Sequence, residues 1–340
     1  MRLVRIPSPG AITVEEAPKP EALEGQVLLK INYVGFCGSD LNTFLGRNLM
    51  AKEAVIPGHE IGATIEDTGA GVPEFLKPGM VVTVNPYTNC GHCAACRSGH
   101  TNACEFNETL GVQRDGAMRD YMVLPWEKII PAQGLSPRDC ALVEPMSVGF
   151  HAVSRAQVTD SDTVLVFGCG MIGVGAIVRA SLRGATVIAV DLDDEKLALA
   201  LRLGAAHTIN SGREDLHERL MELTSGMGPT VVVEAVGSIP TYQAAINEVA
   251  FSGRVVCIGY SKNDVTLTTS LFVKKELHIF GSRNAMPGDF EAVIRYLLRG
   301  TCPKDELVSA SVTPENAHEA MEQWVAAPGK VFRILVNFNQ

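Results

Sequence analysis

The second half of the chain alternates runs of β-branched residues with segments whose apolar residues recur at helical spacing. The runs that predict strands are "TVLVF" (163–167), "TVIAV" (186–190), "TVVVEAV" (230–236), "RVVCIG" (254–259) and "LHIFG" (277–281). Between them lie the helical segments "MIGVGAIVRASLRG", "DDEKLALALRLG" and "IPTYQAAINEVAFSG", each with a glycine at or near its end. Apolar strands that alternate with helices are typical of a doubly wound parallel sheet covered on both faces.

Before residue 150 the pattern changes to short strand-like runs, such as "QVLLKINYV" and "MVVTVNP", among many glycines and prolines. This pattern of short apolar runs between turn residues favours a β-rich domain. In the tail, "TPENAHEAMEQWV" predicts a helix with Thr313 as its N-cap and Pro314 at its first position, and "VFRILVNF" predicts a strand. We expect this tail to return to the first domain.

Length and charge restrict the classes of function. A chain of 340 residues is too long for one ordinary core, so we expect about two domains. The net charge of −9 and the lack of a basic patch argue against a nucleic-acid partner and favour a small molecule. The N-terminus has no apolar signal region, and no span approaches the roughly 18 apolar residues of a membrane helix, so we expect a cytoplasmic protein.

A dinucleotide site is predicted where the first of these strands runs into "GCGMIG". Glycines there permit a tight turn and let the backbone approach a pyrophosphate at the helix N-terminus. An aspartate 18 residues after the last of these glycines would accept hydrogen bonds from both ribose hydroxyls and repel a 2′-phosphate, which favours NAD over NADP. A glycine-rich turn with a capping aspartate is the alternative. The candidate cofactor-binding residues are Gly168, Gly170, Met171, Ile172, Gly173 and Asp191.

Nine cysteines in a chain that we expect in the cytoplasm favour metal ligands or free thiols over disulfides. Four of them, Cys90, Cys93, Cys96 and Cys104, lie in "NCGHCAACRSGHTNAC". Four thiolates suit a closed tetrahedral zinc site, which does no chemistry. An iron–sulfur cluster would want a short third spacing and a proline after the fourth cysteine, and a nucleic-acid zinc ribbon would need basic surroundings. We therefore predict structural zinc.

A second set of metal-binding residue types is scattered along the first domain. It comprises Cys37 in "GFCGSD", His59 and Glu60 in "PGHEIG", and Glu144 in "LVEPMS". Each alone is a weak signal, since a lone buried cysteine usually acts as a small apolar residue. Together they offer one sulfur, one nitrogen and two oxygens, a set that could hold a catalytic zinc and leave a position for water or substrate.

The sequence resembles the zinc-dependent medium-chain dehydrogenases/reductases, and within them the sorbitol dehydrogenase and sugar-acid dehydrogenase branch. "CGSD", "PGHEIG", the four-cysteine segment, "LVEPMSVGFHAV" and "VFGCGMIGVGA" carry the resemblance, in order and over essentially the whole chain. It implies a GroES-like catalytic domain over residues 1–146 and 284–340, with both zinc sites, and a Rossmann NAD-binding domain over 147–283. It also implies a homodimer or homotetramer.

By position, Cys37, His59 and Glu60 match the catalytic zinc ligands of that family. In the polyol branch, the residue that matches Glu144 either ligates the metal or binds its water.

Ser39 matches the hydroxyl residue that hydrogen-bonds the substrate alcohol in the family. Many relatives carry a proton-relaying histidine where this chain has Asn42. An amide cannot accept and release a proton at neutral pH, so the relay would run otherwise, through Glu60 or Glu144.

We therefore expect an oxidoreductase with about two zinc ions per chain that transfers hydride from a secondary hydroxyl of a polyol, sugar or sugar acid to NAD. Arg283 and Asn284, in "GSRNA", are candidates for binding a substrate carboxylate or hydroxyl, although a salt bridge at a domain interface is the alternative role of Arg283. Two other functions stay open. They are a threonine dehydrogenase-like oxidation of an amino alcohol and an inactive NAD-binding regulator.

Overall fold

Two units make up the chain, which a computed structural model describes over residues 1–340. The terminal unit comprises Met1–Glu144 and Met286–Gln340, and the central unit comprises Pro145–Ala285. These boundaries lie two residues from the predicted ones. Met146 belongs to the central unit because it packs on Gly175, where an added Cβ would lie 2.4 Å from the Met146 carbonyl oxygen.

The strands are short, apart from one of eleven residues near the N-terminus. In chain order they are β1 (Arg2–Arg5), β2 (Thr13–Glu16), β3 (Gln26–Phe36), β4 (Glu60–Thr68), β5 (Val81–Val84), β6 (Tyr121–Pro125), β7 (Ile129–Pro131), β8 (Thr163–Phe167), β9 (Thr186–Asp191), β10 (His207–Asn210), β11 (Val231–Glu234), β12 (Arg254–Cys257), β13 (His278–Gly281), β14 (Ala310–Val312) and β15 (Ile334–Asn337).

The helices lie mainly in the second half of the chain, and none of them has the length and apolar character needed to cross a membrane. They are α1 (Gly38–Phe44), α2 (Ala94–Arg97), α3 (Pro137–Cys140), α4 (Val143–Arg155), α5 (Met171–Leu182), α6 (Asp194–Arg202), α7 (Leu216–Leu223), α8 (Ile239–Glu248), α9 (Ser270–Lys274), α10 (Pro287–Leu298) and α11 (Ala317–Ala326).

The terminal unit is built on a seven-stranded sheet in the order β14-β15-β3-β4-β5-β7, with β6 also paired to β3. The long strand β3 is central because its apolar side chains, among them Leu29, Ile31 and Phe36, are fully buried. The tail joins this sheet through β15, which runs antiparallel to β3 with Ile334 opposite Phe36. The predicted β-rich domain is confirmed.

The central unit contains a six-stranded sheet in the order β10-β9-β8-β11-β12-β13, and every neighbouring pair is parallel. Its four inner strands, β9, β8, β11 and β12, carry fully buried valines and isoleucines, as expected for a sheet covered on both faces, whereas the side chains of the edge strand β13 are mostly exposed. The predicted doubly wound parallel sheet is confirmed. Sequence analysis did not predict β10, whose four residues "HTIN" contain a single strongly apolar side chain.

Several predicted element ends are wrong, among them that of the strand predicted over 254–259, which ends at Cys257. The strand predicted to residue 236 ends at Glu234, because its carboxylate Oε1 accepts the N–H groups of Val236 at 3.0 Å and Gly237 at 2.8 Å and turns the chain. In the tail, the Thr313 side chain caps no helix. A 3₁₀ turn follows it, and α11 begins only at Ala317.

Candidate metal and dinucleotide sites

The four clustered cysteines come together in a lobe that contains α2. Their sulfur atoms all lie within 4.8 Å of one another. Backbone N–H groups point at them, from Cys90 to the Sγ of Cys104 and from Cys93 to the Sγ of Cys90, both at 3.3 Å. The N–H groups of Cys96 and Glu105 lower the pKa of the Cys93 thiol to about 6. A group of four sulfurs with N–H donors around it fits a closed zinc site.

The scattered set also assembles, in the terminal unit. Cys37 caps the N-terminus of α1 directly after β3, and Glu60 is the first residue of β4. The pairing of β3 with β4 sets Gly35 opposite Glu60, and so brings His59 and Glu60 to the end of β3 where Cys37 lies. The sulfur, nitrogen and oxygen ligand atoms of these three residues lie within 4.8 Å of one another.

Gly35 makes room for the Glu60 carboxylate. A Cβ added at Gly35 would lie 2.1 Å from Oε2 of Glu60, far inside van der Waals contact. The position of the carboxylate therefore depends on a glycine in the facing strand.

The donor atoms of this group fit a cation. His59 Nδ1 and Glu60 Oε1 are buried and have no hydrogen-bond partner in the protein. Burial of such atoms is costly unless something else pairs with them. Burial lowers the pKa of His59, but charge and hydrogen-bond interactions with the Cys37 side chain raise it well above the ordinary value, and the same surroundings favour a cation at this position. One sulfur, one nitrogen and one carboxylate suit zinc with a position left open.

Two charged residues beside this group were missed by sequence analysis. The guanidinium of Arg333, just before β15, lies with Nε 3.1 Å from Glu60 Oε2 and donates through Nη1 to the Phe36 carbonyl at 2.5 Å. Asp40 accepts the Cys37 N–H at 2.8 Å, and burial raises the pKa of its carboxyl to about 6. Arg333 lies in "VFRILVNF", where a charge within an otherwise apolar run was the signal available, and Asp40 lies in "GFCGSD".

Glu144, predicted as a ligand, is not within the three-residue group. It lies buried in the first turn of α4, and its Oε1 accepts a short hydrogen bond from the hydroxyl of Tyr87. Burial raises the pKa of the Glu144 carboxyl to about 7. Sequence analysis did not single out Tyr87.

Ser39 and Asn42 lie on α1. The Ser39 hydroxyl is buried and has no hydrogen-bond partner in the protein. Asn42 donates through Nδ2 to the Gly38 carbonyl at 2.9 Å, one helical turn back.

The predicted dinucleotide turn lies between β8 and α5 in the central unit. Gly168 has φ +88°, which favours glycine, and a Cβ added at Gly173 would lie 1.7 Å from the Gly168 carbonyl oxygen. Nothing lies within 4 Å of a Cβ added at Gly170, the N-cap of α5. Met171 and Ile172 form the start of that helix. The turn thus leaves open space at the N-terminus of a twelve-residue helix, as anion binding requires.

Asp191, the last residue of β9, lies beside this turn. Its Oδ2 accepts the Cys169 N–H at 2.7 Å, and its Oδ1 accepts the N–H groups of Leu192 at 2.8 Å and Asp193 at 3.1 Å. The carboxylate is held in a fixed orientation next to the glycines.

Arg283 and Asn284 follow β13 in the central unit. Arg283 lines a cavity of about 600 Å³ together with Tyr260 and Ser282. Asn284 does not line this cavity, and its backbone has φ +55°.

Two family models match the chain. "Alcohol dehydrogenase GroES-like domain" matches residues 23–134, and "Zinc-binding dehydrogenase" matches residues 172–299. L-galactonate-5-dehydrogenase of Escherichia coli (strain K12) is 34% identical over 84% of this chain and 84% of its own.

Two solved structures superpose with a TM-score of 0.91. A short chain alcohol dehydrogenase (rspB) from E. coli CFT073 complexed with NADH is 28% identical, with 99% of each chain covered. A putative zinc-binding dehydrogenase from Sinorhizobium meliloti 1021 bound to NADP is 26% identical and covers 99% of this chain and 98% of its own.

Proposed function

The chain belongs to the zinc-dependent medium-chain dehydrogenases/reductases, and from this premise we propose that it oxidises a secondary hydroxyl of a polyol, sugar or sugar acid with NAD. The observation that carries the proposal is the buried group of Cys37, His59 and Glu60, whose ligand atoms lie within 4.8 Å of one another. In this group His59 Nδ1 and Glu60 Oε1 have no hydrogen-bond partner in the protein. Three protein donors with an open position are the mark of catalytic zinc.

Each group would supply a distinct part of the chemistry. Zinc held by Cys37, His59 and Glu60 would act as a Lewis acid that lowers the pKa of the substrate hydroxyl. NAD held at the glycine turn would accept hydride from the carbon that carries that hydroxyl. A second zinc in the cysteine lobe would only stabilise the fold, because four thiolates leave no open position.

The chain's own residues would orient the substrate and take its proton. The partnerless Ser39 hydroxyl can accept a hydrogen bond from the substrate hydroxyl and hold it for reaction. Asn42 cannot carry the proton onward, and its amide already donates to Gly38. We assign this role to the buried carboxylates of Glu60 and Glu144.

A sugar-type substrate is supported by the carboxylate of Glu60 in the group of Cys37, His59 and Glu60. With this carboxylate the group resembles the metal site that acts on polyols, and not the metal site with two thiolates that acts on simple alcohols. The L-galactonate relative points the same way. Arg283 would pair with a substrate carboxylate and Asn284 with a hydroxyl. Replacement of Arg283 by Ala would then raise KM for sugar acids and leave KM for polyols nearly unchanged.

The preference for NAD rests on Asp191, since its fixed carboxylate would repel the 2′-phosphate of NADP. Measured kcat/KM values for the two cofactors test this directly, and a preference for NADP would contradict it.

A steady-state screen of polyols, aldonates and threonine tests the proposed reaction. We expect turnover of a polyol or an aldonate. Strong turnover of threonine would favour amino-alcohol oxidation instead, and no turnover of any secondary alcohol would favour a regulator.

Metal analysis tests the proposed metal sites. We expect about two zinc ions per chain in the wild-type protein and about one in the Cys37→Ser variant. One zinc in both proteins would contradict the catalytic metal site.

A further inference from the structure

Tyr87 is fixed by its backbone and its ring so that the hydroxyl reaches one acceptor. Its N–H donates to Asn85 Oδ1 at 3.1 Å, and its carbonyl accepts from Lys128 Nζ at 2.7 Å. Its ring packs edge-on against Phe290, with centroids 6.3 Å apart, and the residue is 5% exposed. The hydroxyl donates to Glu144 Oε1. These contacts fix the Tyr87 side chain with its hydroxyl at the Glu144 carboxylate.

Glu144 lies next to the group of Cys37, His59 and Glu60 but is not one of its ligands. Its charge interacts with those of His59, Glu60 and Arg333, so the carboxylate lies in their neighbourhood. The ligand atoms that cluster within 4.8 Å of one another are nevertheless those of Cys37, His59 and Glu60 alone. A buried carboxylate near a divalent cation would normally bind it, so a metal at Cys37, His59 and Glu60 would attract Glu144 unless another contact restrained it.

We propose that Tyr87 is a positioning residue that holds Glu144 outside the metal's ligand set and so keeps the fourth coordination position open for substrate. This inference rests on the proposed function in requiring zinc at Cys37, His59 and Glu60. A fourth protein ligand would close the site, as in the cysteine lobe. Without the Tyr87 hydroxyl, Glu144 Oε1 loses a hydrogen bond in a buried setting, and the cation is the strongest remaining partner.

The test uses the full-length protein with Zn²⁺ in the cysteine lobe and Co²⁺ as a visible probe at the Cys37 site. The Cys37→Ser variant, which should lack the Co²⁺ absorption, verifies the loading. In Tyr87→Phe, binding of Glu144 should change the Co²⁺ spectrum and slow the release of the metal to a chelator by about tenfold. The value of kcat should fall by a similar factor or more, because the substrate's position is occupied.

A double-mutant cycle assigns these effects to Glu144. In Tyr87→Phe/Glu144→Gln, the spectrum and the release rate should return to those of Glu144→Gln alone, because a neutral amide is a poor ligand. Tyr33→Phe, in β3, is the matched control and should leave both unchanged. The same spectral change in the double variant, or no change in Tyr87→Phe, would overturn the proposal.

The single variant Glu144→Gln keeps the proposal testable if Tyr87→Phe does not fold. It should release the metal at the wild-type rate, since Glu144 is outside the ligand set. Faster release would show that Glu144 is a ligand and would refute the inference. These metal measurements need no substrate. If they give the expected results but the protein oxidises no secondary alcohol, only the proposed function is contradicted.

Discussion

At the scale of single residues, the group of Cys37, His59 and Glu60 depends on neighbouring residues that cannot bind metal. Gly35 is the clearest of these, because its missing side chain leaves the space that the Glu60 carboxylate fills. Replacement by Ala is compatible with a strand backbone, so the damage should be local.

In Gly35→Ala we therefore expect Glu60 to be displaced by an ångström or more and kcat/KM to fall by about 100-fold, with a wild-type circular dichroism spectrum. Gly288→Ala in α10 is the control, because an added Cβ there meets nothing within 4 Å. Steady-state kinetics with zinc analysis check this. Full activity in Gly35→Ala would mean that the position of Glu60 is not critical.

Sequence analysis identified residues by chemical type but not their neighbours. Cys37, His59 and Glu60 were predicted because their side chains are metal ligands, and the structure brings them together. Arg333 and Tyr87 were missed because an arginine just before a strand and a tyrosine after one are ordinary residues until the fold sets them beside buried carboxylates. The supporting residues of a site depend on distances that one sequence does not contain.

At the scale of elements, the turn between β8 and α5 separates stability from cofactor binding. Gly173→Ala would place a Cβ against the Gly168 carbonyl and push the helix from the strand, so we expect a loss of about 3 kcal/mol in the free energy of unfolding. Gly170→Ala meets no protein atom and should fold normally, but it should weaken NAD binding by crowding the pyrophosphate. Thermal denaturation and NAD titration of both variants check this, and equal stability would contradict it.

A network of hydrogen bonds joins the starts of β8, β11 and β12 in the central unit. Asp162 is 5% exposed and accepts hydrogen bonds from Arg254, from Thr230 Oγ1 at 2.8 Å and from the Thr159 N–H at 2.8 Å. Arg254 also donates to the carbonyl of Ala156 at 2.7 Å, after the end of α4. Although burial raises the pKa of the Asp162 carboxyl, these hydrogen bonds lower it overall.

Asp162→Asn should therefore lower the free energy of unfolding by about 3 kcal/mol at pH 7, because it leaves the Arg254 charge without its partner. The difference from wild type should persist at neutral pH and disappear as the pH falls through the lowered pKa of Asp162, where the wild-type carboxylate also becomes neutral. Glu222→Gln, at an exposed ion pair with Arg219 in α7, is the control and should cost less than about 1 kcal/mol. Urea denaturation at several pH values measures both.

The elements were predicted well where apolar periodicity is strong. β8, β9, β11 and β12 overlap predicted strands, since most of their side chains are buried. The edge strand β13 was also predicted, from its apolar residues, although its side chains are mostly exposed. The edge strand β10 was missed because its pairing with β9, and not its own composition, makes it a strand. Strand ends were less predictable because side-chain hydrogen bonds, such as those of Glu234, fix them.

At the scale of the whole molecule, the two units have separate hydrophobic cores. Zinc would stabilise only the terminal unit and NAD only the central one. We expect a chelator to lower the melting temperature of one calorimetric transition, and NAD at 100 times its Kd to stabilise the other by about 2.7 kcal/mol. Matching shifts of a single transition with both treatments would show that the units unfold together.

Arg333 and β15 also set the order in which the protein can mature during synthesis. The ion pair to Glu60 and the strand beside β3 come from Arg333 and β15, so about 300 residues are synthesised after Cys37 before the pocket around it can close. Until then residues 33–36 of β3 lack the partner strand β15, and Glu60 lacks its counter-charge. The nascent terminal unit is therefore incomplete until β15 has been synthesised, whereas the central unit is fully synthesised some fifty residues earlier.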